Sequence, residues 1–274
     1  MQGTQAGWVA PVGPLGELTA AAAARATALQ AHAGHLEEEA ARANAVGSFA
    51  AALRRNDVAI IAEIKRRSPS KGVIRENLDA RVRAGEYERG GAAALSVLTE
   101  PLMFGGSLDD LRAVRRASSI PLLRKDFIVD RLQLLEARAA GASAALLIAR
   151  ALAPRAFLRL ADDALALGLD LLLEVRDEAE LDRALRVEAA VIGVNNRNLE
   201  TLQLDDSVSE RLLRQIPRGR IAVYESGVSG RKDVDRAAAL GADAVLVGSS
   251  LSSSADGAVA LAALVGVPRC VRAG

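Results

Sequence analysis

The chain has 274 residues, 50% of them hydrophobic, and its 35 basic residues nearly cancel its 34 acidic ones to leave a net charge of +1. That length buries a large core, and the even charge balance excludes the basic face that nucleic acid or an anionic membrane would require. One cysteine, Cys270, excludes a disulfide framework or a thiolate metal cluster within a single chain and fits a reducing compartment.

The N-terminal stretch MQGTQAGWVAPVGPLGELTA has no basic segment ahead of an apolar one. No run in the chain reaches the roughly 18 apolar residues of a membrane span, so a cytoplasmic protein is expected. From about Leu15 to Asn44 the chain is rich in alanine, glutamate and arginine, which favours helix, but its apolar stripe is thin. Residues 1–47 therefore read as a partly helical extension, and 48–274 as the folded domain. The only two histidines, His32 and His35, fall in this extension. A hydrolytic triad or histidine-rich metal site would need imidazole near the core.

From Val58 onward short apolar runs recur: Val58 to Ile64, Ala93 to Leu98, Pro121 to Leu123, Ala144 to Ile148, Leu171 to Val175, Val191 to Val194, Ile221 to Tyr224 and Ala244 to Val247. None alternates with polar residues, which predicts strands buried on both faces. Amphipathic stretches such as SLDDLRAVRRA from Ser107 and DEAELDRALR from Asp177 lie between them, headed by hydroxyl or acidic N-caps. A weak internal echo, GGAAALSVL, AGASAALLI and LGADAVLVG, places glycine where a helix would end and a strand begin. Eight strands alternating with helices over about 210 residues predict an α/β protein, a closed (βα)8 TIM barrel with an N-terminal helical extension. An open doubly wound sheet is the alternative. It would carry a GxGxxG turn after the first strand, which EIKRRSPSKG does not match.

In a closed barrel the C-terminal ends of the strands converge on one mouth, where active sites lie. Those ends hold Glu63 and Lys65, Lys125 and Phe127, Glu174, Asn195 and Arg197, Glu225 and Ser226, and Gly248 and Ser249. Only four of the 35 basic residues are lysines, Lys65, Lys71, Lys125 and Lys232, so each lysine calls for a reason. Unlike arginine, a lysine ammonium can give up its proton when its surroundings favour it, which suits acid and base catalysis. Lys65 and Lys125 follow strand-like runs, whereas Lys71 reads as a loop cation and Lys232 as a surface one. Glu174, inside LLLEV, is costly unless paired, and reads either as a structural ion pair with a lysine or as a functional carboxylate. The turns ESGVSG from Glu225 and VGSSLSSS from Val247 supply backbone N–H groups where barrels often hold phosphate. Ordinary turn chemistry is the alternative.

EIKRRSPSKGVI, ALSVLTEPLMFGGSLDDLRAVR, PLLRKDFIVD, LLIA, LLLEV, IGVNNRNLETLQLD, ESGV and VGSSL occur in this order between about Ser48 and Leu251. Together they resemble the indole-3-glycerol phosphate synthase family. KxxSPSKG, RKDF and NNRNL in sequence are the specific part of the match.

The resemblance implies ring closure of 1-(2-carboxyphenylamino)-1-deoxyribulose 5-phosphate to indole-3-glycerol phosphate, with loss of carbon dioxide and water. It implies no metal and no organic cofactor and a small phosphorylated substrate; a monomer is expected. By similarity Lys125 is the general acid for condensation, and Lys65 with Glu174 serves the dehydration, although which lysine takes which step stays open. Glu63 would orient Lys65, Asn195 would hold substrate hydroxyls, and Ser226 belongs with the catalytic group. Ser68, Arg197, Ser226, Gly227, Gly248 and Ser249 match the phosphate site. Phe104, Phe127, Leu146, Leu199 and Leu246 match the apolar wall around the anthranilate ring. Before Ser48 the chain departs from the family pattern, since HAGHLEEEAARANAVGSF lacks the expected lysines. A Schiff-base aldolase, a flavin oxidoreductase and a non-catalytic phosphate-binding barrel are the competing classes. The presence of Glu63, Lys65, Lys125 and Glu174 together argues against the last.

Overall fold

Residues 8–44, 46–188 and 191–272 are described by a computed structural model of the chain, in which each apolar run is a parallel strand. The strands are β1 Ala59–Ile64, β2 Ala94–Leu98, β3 Leu122–Lys125, β4 Ala144–Ile148, β5 Asp170–Val175, β6 Val191–Asn195, β7 Ile221–Glu225 and β8 Ala244–Val247. Only Asp170 and Lys125, at opposite ends of their strands, escape full burial. That two-sided burial is why the runs are continuous and not alternating. Each strand pairs with the next, and β8 returns to β1 in the register Ala59↔Ala244, closing an eight-stranded barrel.

Helices α4 Ala80–Arg89, α5 Leu108–Ala117, α6 Arg131–Ala139, α7 Pro154–Ala166, α8 Glu178–Ala184, α9 Ser207–Leu212 and α10 Arg231–Ala239 follow β1 to β7 in turn. After β8 come α11 Ser249–Ser253 and α12 Gly257–Ala262. The side chains of Asp79, Ser107, Asp130, Asp177 and Asp256 accept first-turn amides, the capping that the sequence predicts. Between β1 and α4 the chain doubles back, Arg67–Ser68 pairing antiparallel with Gly72–Val73.

Ahead of the barrel stand α1 Gly13–Leu29, α2 Ala33–Arg42 and the single turn α3 Phe49–Ala52. The first seven residues of the extension, and Ala45, lie outside the described residues. Leu15, Leu18 and Ala22 of α1 join the main core, whereas Leu36 and Ala40 of α2 pack on Leu132 and Leu135 of α6 as a small separate cluster. Burial of Leu15 and Leu18 contributes about 2 kcal/mol each. The amide of Leu15 donates to the Leu199 carbonyl at 3.1 Å and that of Val12 to Glu200 Oε1 at 3.0 Å, so α1 is tied to the loop after β6, at the mouth.

The opposite end is closed by Arg272, whose buried guanidinium donates to the carbonyls of Ile216, Gly241 and Arg220 and to Asp243 Oδ2 at 2.7 Å. Among the described residues no helix is long and apolar enough to cross a membrane.

Candidate active site

At the C-terminal ends of the strands lies a cavity of about 320 Å³. Every residue assigned a catalytic or binding role from the sequence lines it: Glu63, Lys65, Ser68, Phe104, Lys125, Phe127, Leu146, Glu174, Asn195, Arg197, Leu199, Ser226, Gly227, Leu246, Gly248 and Ser249. Parallel strands of similar length carry their last residues to one rim, so side chains from remote segments meet there. Lys71, read as a loop cation, is exposed and borders the same cavity, and Lys232 is on the surface.

The charged groups form two pairs of different character. Lys65 Nζ lies 2.5 Å from Glu63 Oε1, both side chains leaving the end of β1. Gly248 makes room for this pair, because a Cβ there would run into Glu63 Oε1 and come within 2.7 Å of Lys65 Nζ. Lys65 is thereby set against the Gly248 turn. Burial raises the Glu63 carboxyl, yet Lys65 and then Lys125 outweigh it and hold it below the usual glutamate range.

Lys125 Nζ sits between two carboxylates, 3.3 Å from Glu174 Oε2 and 3.3 Å from Glu225 Oε2. Burial works against the ammonium, but Glu225, Glu174 and Glu63 prevail and keep its pKa well above the ordinary lysine range. Glu225 is buried, its Oε1 has no hydrogen-bond partner, and burial pushes its pKa up to about 7 in spite of Lys125. Its seat exists because residue 193 is glycine, where a Cβ would collide with the carboxylate.

Glu174 is fixed from its other side by Asn195 Nδ2 at 2.9 Å. Asn195 Oδ1 in turn accepts from Ser226 Oγ at 2.8 Å and from the Arg197 amide at 2.9 Å. Ser226 holds φ 66°, a left-handed conformation rare for a side chain other than glycine, and such strain gathers at functional sites. Arg197 Nη1 donates to the Leu202 carbonyl at 2.7 Å. Glu174 is therefore a buried ion-pair partner of a lysine that also lines the cavity.

Phe104 and Phe127 stand 6.2 Å apart, centroid to centroid, and with Leu146, Leu199 and Leu246 give the cavity its apolar side. Pro14 and Leu18 of α1 also reach it. The alanine-rich extension thus meets the mouth through apolar side chains and, further along, through Arg25, which donates to Asp126 Oδ1 at 2.7 Å beside Lys125.

Sequence reasoning named Glu225 at a strand end but gave it no role. The signal was available, since it is the one carboxylate in the apolar run IAVYE, as Glu174 is in LLLEV. Pro14 and Leu18 had no such signal, because nothing local says where a helix will dock.

The family model described as indole-3-glycerol phosphate synthase matches residues 16–264. Indole-3-glycerol phosphate synthase of Streptomyces griseus subsp. griseus is 50% identical over 230 residues, covering 84% of this chain and 86% of that protein. The protein of the same name from Kineococcus radiotolerans is 51% identical over 208 residues, 76% of each chain. Among solved structures, 3-hexulose-6-phosphate synthase from Salmonella typhimurium superposes with a TM-score of 0.60 at 15% identity, over 76% of this chain and 96% of that one. At that identity the likeness is one of fold alone.

Proposed function

The chain belongs to the indole-3-glycerol phosphate synthase family, and from that premise we propose how its barrel mouth closes 1-(2-carboxyphenylamino)-1-deoxyribulose 5-phosphate into indole-3-glycerol phosphate. The observation that carries the reading is the two-pair arrangement, Lys125 between Glu174 and Glu225, and Lys65 on Glu63 against the Gly248 turn.

As the aromatic carbon attacks the substrate carbonyl, negative charge develops on the carbonyl oxygen, and an ammonium must protonate it. Lys125 is that acid. Three carboxylates keep it charged in the resting site, so the proton is in place when the substrate arrives. Decarboxylation then releases carbon dioxide from the ring carbon that carried the carboxylate and leaves a hydroxyl to be expelled as water. Lys65 protonates the departing hydroxyl and Glu174 takes the remaining proton, with Asn195 holding that carboxylate in line. Glu63 orients Lys65.

The turn amides of Gly227, Gly248 and Ser249, with Ser226, Ser68 and Arg197, grip the phosphate. The aromatic ring lies on the wall formed by Phe104, Phe127, Leu146, Leu199 and Leu246. The two grips set the substrate across the lysines, so the reacting atoms meet without a search. A Schiff-base mechanism through Lys125 is disfavoured, because an ammonium held charged is not a nucleophile. The protein acts as a monomer in the cytoplasm. Purified protein incubated with the ribulose phosphate should develop indole fluorescence, and a flat trace with folded protein overturns the reading.

A further inference from the structure

The serine run Ser252–Ser254 has no part in the chemistry above, yet its first member is wholly buried. Ser252 sits in the first turn of α11, its amide donating to the Gly248 carbonyl at 2.9 Å. Its hydroxyl turns inward, donates to the Glu63 carbonyl at 3.0 Å and accepts from the Lys65 amide at 3.4 Å. These two backbone groups flank Ile64, and they belong to the residues that carry the Glu63–Lys65 pair.

The need for the hydroxyl follows from the ladder. The Ala59 amide donates across to Asp243, so on β1 the odd-numbered residues turn their N–H and C=O groups toward β8. The ladder between them runs only as far as Ala62↔Val247. Beyond it, at Gly248, the chain leaves the sheet to form the rim, and the outward carbonyl of Glu63 and amide of Lys65 have no strand beside them. Ser252 Oγ takes both, doing the work of the ladder residue that is missing. The next turn is fixed from the other direction, as Arg75 Nη1 and Arg83 Nη2 both donate to the Ser254 carbonyl, at 3.0 and 2.9 Å.

We infer that Ser252 is a positioning residue, which locks the end of β1 to the helix that continues from the Gly248 turn and so fixes where Lys65 stands relative to that rim. The inference rests on the functional reading for its kinetic consequence, but not for its structural one. Without the hydroxyl, the backbone at Lys65 is free to shift, and displacement of a catalytic group by a fraction of an ångström is enough to slow a reaction severalfold or more.

Two measurements test it. The first needs no turnover. Lys65 in native protein and in Ser252→Ala is acetylated with limiting acetic anhydride, and the peptides are read by mass spectrometry against exposed Lys232 as the internal reference. Ser252→Ala should label Lys65 at least threefold faster, and equal rates overturn the proposal.

The second is a double-mutant cycle on kcat. Ser252→Ala should lower kcat about tenfold with a smaller change in KM, while in a Lys65→Met background the same change should alter kcat less than twofold, because the residue acts through Lys65. An equal factor in both backgrounds would mean general structural damage and overturn the inference. Ser252→Cys, close in size, serves where Ser252→Ala is misfolded by circular dichroism, with Lys65 labelling expected between those of native protein and a fully freed lysine. Native protein that labels as expected but makes no indole product sinks the functional reading and leaves the positioning role standing.

Discussion

Replacing Glu225 with glutamine probes the electrostatics of the mouth without emptying it, since the amide fills the same seat beside Gly193. The carboxyl releases its proton near pH 7 in the folded chain, against about 4.5 for an unperturbed glutamate. A difference of that size corresponds to about 3 kcal/mol of stability. The folded value lies above the unfolded one, so the contribution is fully present below about pH 4.5 and is lost as the pH rises through 7. Glu225→Gln imitates the protonated acid at every pH. Native protein and variant should therefore differ little at pH 5, and by pH 8 the variant should have gained up to about 3 kcal/mol relative to the native chain. Urea unfolding of both proteins at pH 5, 6, 7 and 8 measures this directly, and groups remote from the mouth are common to both and cancel. A stability difference that stays flat from pH 5 to 8 would refute the reasoning. A difference that moves in favour of the native protein would mean that Lys125 overcomes burial and Glu225 is a depressed carboxylate.

Lys125→Ala should lower turnover at least a hundredfold in the fluorescence assay while circular dichroism stays native, in line with the loss of a general acid. Arg197→Ala should act chiefly on substrate KM, and a change confined to kcat would move Arg197 from the phosphate to the chemistry. Arg25→Ala removes a charged hydrogen bond to buried Asp126, which keeps Arg124 at 3.0 Å. It should cost about 2 kcal/mol in urea unfolding, and a loss below about 0.5 kcal/mol would show that α1 is held without help from this ion pair.

The barrel was legible because its strands are buried on both faces, which leaves uninterrupted apolar runs, and because eight of them in so short a chain favour closure. Strand ends were legible as a site for the same reason, since parallel closure forces them together. Other features depend on contacts between distant segments, which local pattern does not encode. Val12 meets Glu200 across 188 positions and Ser252 meets Glu63 across 189, and neither pair leaves a trace in its own neighbourhood. Glu225 lies between these cases, marked by its apolar run but given meaning only by the lysine opposite. The alanine-rich extension, which departs from the family pattern in composition, still reaches the mouth through Pro14 and Leu18, because docking needs apolar contact and a few anchors more than it needs particular charges.

Arg272 gathers five separate acceptors at the end of the barrel remote from the chemistry, and Asp243, its ionic partner, also receives the Ala222 amide at the start of β7. The staves are thus hooped from beneath by a residue that no substrate can touch. Loops on the upper side are free to drift over evolutionary time, or to be rebuilt by an engineer, without loosening the cask. The same division makes the tail a poor place for tampering: a tag or truncation that disturbs Arg272 should weaken the whole vessel while leaving the roles of its two lysines unchanged.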